Sequence, residues 1–239
     1  MDFLELCEPQ DNVNDDNMEI YRYYSYCKLK KLFEDKSIYF CNAENFTDKR
    51  ERQIPQAYYN MIEAKTSTGQ KDMKKRIDDS KKNHIKSYIT CWTTEQDNYA
   101  FWKIYTPDAD GIMIKTTVGK LKRKFDPKNI VIAPVEYVKI KDKSKGIAHI
   151  SFNNKEPESI SFSEKYKIYP YNYEKEIRFI LYSKDIEKGY DYKIGDLDFI
   201  DEFMISPFAN NSMSNVISDL ITKYVPNAII NTSEIKESE

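Results

Sequence analysis

Tyr173-Glu174-Lys175-Glu176-Ile177-Arg178-Phe179-Ile180-Leu181-Tyr182-Ser183 is the stretch that decides the fold. It is dense in apolar and aromatic residues and holds no Gly or Pro, so it reads as a β-strand. Alternate residues of a strand share a face. Glu174, Glu176 and Arg178 therefore fall on one side, with Tyr173, Lys175, Ile177 and Phe179 on the other. Two carboxylates about 7 Å apart along a strand can divide roles, one tuned by burial and the other left ionised. Arg178 can hold one of them in place or grip an anion through two parallel hydrogen bonds. The same pattern also suits a strand face carrying a ladder of ion pairs.

Outward from this strand the pattern keeps switching between periods. Glu19–Tyr26, Ser37–Asn42, Lys86–Trp92, Gly111–Thr117, Asn129–Ile140 (bent or edge-placed around Pro134), Glu202–Ser206 and Ala228–Asn231 read as strands. Helices are expected over Lys28–Lys36, Gln56–Lys65, Lys71–His84, Ser161–Ile168 and Asn211–Tyr224, and from a Thr94 cap to Tyr105. Lys141–Ser159 is the least patterned stretch and reads as a surface excursion. Strands and helices intermingle without regular βαβ spacing. The expected class is α+β, with a mixed, mainly antiparallel central sheet flanked by helices. Residues 1–18 read as a polar lead-in and 19–239 as one domain, since no linker or repeat divides them.

Composition narrows the function. A formal net charge of −2 argues against strong duplex DNA binding. Asp72, Asp78 and Asp79 interrupt the positive field of the lysine-rich Lys71–His84 segment. The cysteines Cys7, Cys27, Cys41 and Cys91 form no CxxC pair, and the histidines are His84 and His149 alone. No zinc-type cluster can be written from them, so no metal is expected. Free thiols fit a reducing cytosol, and the acidic Met1–Glu19 is not a signal peptide. No apolar run approaches the ~20 residues a membrane helix needs. The expectation is a cytoplasmic protein with no membrane partner.

Two further clusters carry chemistry. Tyr21-Arg22-Tyr23-Tyr24 sets an arginine among tyrosines, which suits phosphate binding with ring stacking and equally suits a tyrosine-rich core strand. Phe101-Trp102-Lys103-Ile104-Tyr105 places Trp102 and Tyr105 three apart on one helix face, as core or as a stacking wall. A nucleophile elbow, a P-loop and a dinucleotide-binding glycine turn are all absent from the sequence.

In order, these clusters resemble a family of bacterial and phage proteins catalogued as domain of unknown function 2971. Tyr21-Arg22-Tyr23 is similar to its opening motif. Ile38-Tyr39-Phe40 through Glu44-Asn45-Phe46-Thr47-Asp48 resembles its strand and turn, with Thr47 and Lys49 departing from the usual Asn and Pro. Thr90-Cys91-Trp92, Phe101–Tyr105, Asp110-Gly111-Ile112, Glu174-Lys175-Glu176-Ile177-Arg178 and Ile205-Ser206-Pro207 follow in sequence, with Ser206 where Gly is common. The layout is also similar to ADP-ribosyltransferases. That resemblance implies a dinucleotide, NAD, as substrate, held by Arg22 with Tyr23 beside it. Tyr39, Trp102 or Tyr105 would stack on nicotinamide, and Arg178 would grip an anionic group. Glu176 would hold the ribose 2′-hydroxyl and stabilise an oxocarbenium-like state, while Glu174 would orient a protein or nucleic-acid acceptor. The family resemblance implies a setting in phage defence or toxin–antitoxin biology. Two rival readings use the same residues: a non-enzymatic sensor or partner-binding protein, and a nucleic-acid-processing enzyme.

Overall fold

The computed structural model describes residues 13, 15–46, 86–127, 130–138, 150–153, 156–160, 164, 166–183 and 188–235. The helices expected over Gln56–Lys65 and Lys71–His84 lie outside them, as do both histidines. In chain order the elements are β1 (Glu19–Ser25), α1 (Tyr26–Asp35), β2 (Ser37–Asn42), β3 (Lys86–Thr93), α2 (Tyr99–Tyr105), β4 (Gly111–Thr117), α3 (Val118–Lys122), β5 (Ile130–Pro134), β6 (Glu136–Val138), β7 (Ile150–Asn153), β8 (Glu156–Ile160), β9 (Tyr166–Ile168), β10 (Glu176–Ser183), β11 (Gly189–Lys193), β12 (Glu202–Ile205), α4 (Asn211–Tyr224) and β13 (Ile229–Thr232). Short 3-10 turns cover Ala43–Asn45 and Tyr169–Glu174. The fold is α+β with mixed, mostly antiparallel strand pairing. The chain divides into two compact units.

One unit comprises Asn14–Tyr39, Cys91–Pro127 and Asp191–Glu239. Its sheet is built on β1 and β4, antiparallel from Glu19↔Thr117 to Ser25↔Gly111. β12 adds antiparallel to β4, and β13 adds parallel to β12 through α4. The register puts Tyr21, Tyr23, Met113 and Met204 on one face, where they pack with Phe101 and Trp102 of α2. Arg22, Ile114 and Phe203 take the opposite face, and Phe203 meets Phe33 of α1 with ring centroids 6.0 Å apart. Lys115 ties three strands by pairing with Glu19 at 2.8 Å and Glu202 at 3.2 Å.

Local chemistry explains the helix boundaries. Asn98, not Thr94, caps α2 by accepting from the Ala100 amide at 2.9 Å, so the helix begins later than the sequence suggests. Thr93 takes up the stretch between by accepting from the Glu95 amide. Asp97 sits at φ 46 and accepts from Trp102 Nε1 at 2.8 Å, Ser233 Oγ at 2.7 Å and the Glu234 amide at 2.7 Å. The C-terminal segment is thereby strapped to the start of α2. Asn210 caps α4, which matches its expected bounds.

The other unit comprises Met1–Val13, Phe40–Thr90 and Lys128–Tyr190. Here β10 pairs antiparallel with β5, from Ile177↔Pro134 to Leu181↔Ile130. The single long strand expected over Asn129–Ile140 is two strands with different partners. β5 follows β10, whereas β6 runs parallel to β9, with Tyr137↔Lys167 in register. Pro134 closes β5 and offers no amide hydrogen, which suits a strand that pairs with β10 alone among the described strands. The Val135 amide still donates to the Glu176 carbonyl at 2.9 Å, and β6 begins at Glu136. The helix expected over Ser161–Ile168 is replaced in its last residues by β9, and Lys141–Ser159 contains the hairpin strands β7 and β8.

Trp102 has none of its side chain exposed, and a Cβ at Gly111 would fall inside contact distance of Thr106 Oγ1 and Cβ. Trp102→Ala should lower stability by about 3–5 kcal/mol, and Gly111→Ala by about 1–3 kcal/mol. Urea denaturation checks both; unchanged midpoints would contradict this packing.

Candidate functional site

The candidate site lies where β10 begins. Pro170 opens the 3-10 turn that ends at Glu174, and Lys175 then adopts φ 42, a left-handed conformation uncommon for a residue with a side chain. The strand starts only at Glu176. Glu174 is therefore off the strand, which corrects the continuous Tyr173–Ser183 reading. Glu176 and Arg178 do share a face, as period-2 spacing requires. The turn brings Glu174 back to the same point by another route.

That point is the ammonium of Lys167, a residue the sequence reading did not single out. Lys167 Nζ donates to Glu174 Oε2 at 2.5 Å and to Glu176 Oε1 at 2.8 Å. Arg178 Nε donates to Glu176 Oε2 at 2.6 Å, and its Nη1 donates to the Glu164 carbonyl at 2.6 Å. The Glu164 carboxylate accepts from Ser87 Oγ at 2.9 Å. The Glu176 amide donates to Tyr137 Oη at 2.9 Å, which fixes the first residue of the strand against β6. Tyr171 lies against the Lys167 ammonium, 4.5 Å from ring centroid to Nζ, and Phe46 lies against the Arg178 guanidinium at 5.6 Å. Glu164, Lys167, Glu174, Glu176 and Arg178 are all buried, Arg178 to 1% exposure. A charged cluster this deep is costly unless each member is paired, which is how it is built.

The two carboxylates are driven in opposite directions. Burial pushes Glu174 up first of all, and its hydrogen bond to Glu176 and that group's negative charge add to the rise; Lys167 opposes it. Burial also acts upward on Glu176, but the Arg178 charge, the Glu174 hydrogen bond and Lys167 together hold it well below the ordinary glutamate range. Glu176, which meets two cations, is thus the member held toward the anion, and Glu174 the one pushed toward carrying the proton. Tyr137 is raised by burial, with the nearby Glu176 and Glu174 charges contributing.

The remaining expected residues, Arg22, Tyr23, Tyr39, Trp102 and Tyr105, belong to the other unit. Arg22 stacks over Tyr24 at 5.0 Å and Trp92 at 5.8 Å. Tyr23 and Trp102 are buried on the opposite sheet face, in edge contact at 4.7 Å. Trp102 and Arg22 therefore cannot touch one ligand across that sheet. Tyr39 is 46% exposed and Tyr105 43%, the latter with its ring against Phe101. Among the described residues no His, Cys, Asp and Glu grouping suits a metal ion. Among them, too, no helix is long and apolar enough to cross a membrane.

Residues 101–179 match the family model for a protein of unknown function, DUF2971. The matched stretch includes Trp102, Lys167, Glu174, Glu176 and Arg178, and it begins well after Arg22. No curated protein matches the chain in sequence. Among solved structures the chain is similar to Thermus sp. 2.9 DarT in complex with NAD+, at 8% identity and TM-score 0.40, over 92% of this chain and 97% of that one. It is similar as well to Thermus sp. 2.9 DarT in complex with ADP-ribosylated ssDNA, at 9% identity and TM-score 0.38, over 93% of this chain and 97% of that one.

The opposite shifts give a signed prediction. A carboxyl raised in the fold adds stability that is full below its unfolded value and is lost as pH rises through the folded one. For Glu174 that loss starts near the ordinary glutamate value of about 4.3 and runs upward. Glu174→Gln keeps the neutral form at every pH. Its melting temperature relative to wild type should therefore rise from pH 5 to pH 9. A difference that is flat or falling would show that Glu174 is not the proton carrier.

Proposed function

We propose that this chain is an ADP-ribosyltransferase-like enzyme that breaks the nicotinamide N-glycosidic bond of NAD, with Glu176 and Glu174 as its working carboxylates. The observation that carries the reading is the buried pair itself: two neighbouring glutamates share one lysine, while only Glu176 also meets an arginine, and burial with the Glu176 charge pushes Glu174 up as Arg178 holds Glu176 down. Strongly perturbed carboxyls with named charge partners mark candidate functional sites. NAD is the substrate implied by the resemblance of the layout to ADP-ribosyltransferases, and the setting in bacterial defence is implied by the family resemblance.

The chemistry suits such a pair. As the C1′–N bond breaks, its electrons pass to the pyridinium nitrogen, and neutral nicotinamide leaves without needing a proton. Positive charge develops on the ribose C1′ and ring oxygen. A fixed carboxylate that stays ionised, Glu176, stabilises that charge. An incoming hydroxyl, from water or from a protein or nucleic-acid acceptor, must lose its proton. A carboxylate whose affinity for protons is raised, Glu174, is the stronger base for that step.

A second reading is favoured by one observation: both oxygens of Glu176 are held by cations. In a sensor or partner-binding protein the same network would serve only to fix β10 against β6 and β9.

Incubating the protein with NAD and measuring nicotinamide tests the proposal. Wild type should release it, and Glu176→Gln should be slower by about 10²–10³ per folded molecule. Glu176→Gln should also lower the melting temperature, because removing one partner of a buried pair costs about 3–5 kcal/mol. No nicotinamide from folded wild type, with the melting temperature of the variant still lowered, favours the second reading.

A further inference from the structure

We propose that Lys167 is the positioning residue of the Glu174–Glu176 pair: its ammonium, donating to both carboxylates, holds them together as their shared counter-charge. This rests on the reading of the pair as a working site. Lys167 enters from β9 and is set by the parallel register Tyr137↔Lys167. The 3-10 turn that follows β9 directly delivers Glu174, and β10 delivers Glu176. The side-chain bonds at 2.5 and 2.8 Å join the three.

The surroundings make the arrangement asymmetric. Glu176 faces two cations, Lys167 and Arg178. Glu174 faces Lys167, the negative charge of Glu176, and the phenol of Tyr173. Tyr171 packs on the ammonium, Tyr137 bonds the Glu176 amide, and Glu164 lies beyond Arg178. Without Lys167 the two carboxyls would keep their mutual repulsion and burial while losing one shared counter-charge. Both would then hold protons more tightly. In the proposed reaction Glu174 accepts a proton from the incoming hydroxyl, so the rate should rise with pH as Glu174 empties. Lys167 sets where that rise falls.

The test follows nicotinamide release against pH for wild type, Lys167→Met and Lys167→Arg, and titrates the glutamate side-chain carboxyl carbons by NMR in the same proteins. In Lys167→Met the rising limb of kcat/KM and both carboxyl midpoints should move up by about one to three pH units. The loss should fall on kcat more than on KM. Lys167→Arg keeps the charge and should return the limb toward wild type. Midpoints that stay in place in Lys167→Met, or that move equally in Lys167→Arg, overturn the proposal. Should wild type release no nicotinamide, the NAD reading fails, and the carboxyl titrations still decide the role of Lys167. Should Lys167→Met not fold, Lys167→Gln, which keeps a hydrogen-bond donor and removes the charge, decides it. Both carboxyl midpoints above their wild-type values support the proposal; unmoved midpoints end it.

Discussion

The unit that carries the candidate site depends on the cost of removing charge from water. An ion buried without compensation costs several kcal/mol even after relaxation. Lys167 and Arg178 can be buried only because Glu174, Glu176 and the Glu164 carbonyl meet them at hydrogen-bonding distance. This requirement fixes register. Moving β10 by one residue would turn Glu176 and Arg178 to the face that now holds Ile177 and Phe179. It would leave Lys167 without acid on one side and set charge against apolar packing on the other. The network therefore specifies the strand's position more sharply than its apolar residues do, since Ile177 through Leu181 are buried on both faces and would pack either way up.

The second unit is governed by the opposite rule. Its β1 and β4 strands bury aromatic and aliphatic side chains on both faces, and α1 and α2 contribute further rings. Arg22 is accommodated by stacking on Tyr24 and Trp92. Alternation along β1 then has a functional consequence. Tyr23 is the sequence neighbour of Arg22 and so points away from it, into the pocket of core that Trp102 fills. An arginine flanked by tyrosines in sequence is, in a strand, an arginine whose neighbours belong to the other face.

What was legible in the sequence followed periodicity and capping. The bounds of β2 and α4 match, β1, β3 and β4 fall where aromatic and β-branched residues cluster, and Asn210 ends the search for the start of α4. The pairing of Glu176 with Arg178 was legible for the same reason. The position of Glu174 was not, because nothing in Tyr-Glu-Lys-Glu announces a left-handed lysine at 175. Such a conformation is imposed by the turn before it and the strand after it. Lys167 was missed for a related reason. In Tyr-Lys-Ile a lysine reads as the solvent side of a short element, and only the parallel neighbour β6 shows that this side is interior. Pro134 was read as a bend or an edge position in one strand; it ends β5, which pairs with β10 alone among the described strands, and β6 after it pairs with β9.

In the proposed reaction Glu176 would join structural and chemical duty, and the first limits the second. Two cations already offset its charge, so the field it would project toward a developing oxocarbenium is the remainder after Lys167 and Arg178 are counted. That remainder depends on Glu174. With Glu174 protonated, Lys167 is matched chiefly to Glu176 and the charge of Glu176 is most fully cancelled. With Glu174 ionised, the ammonium is shared between two carboxylates, and more of the negative charge of Glu176 is left to act elsewhere. The state in which Glu174 can accept a proton is thus the state in which Glu176 best stabilises positive charge. One ammonium shared between two glutamates would couple the proposed base to the proposed electrostatic stabiliser, and the left-handed turn at Lys175 is the backbone feature that lets residues two apart in sequence reach it together.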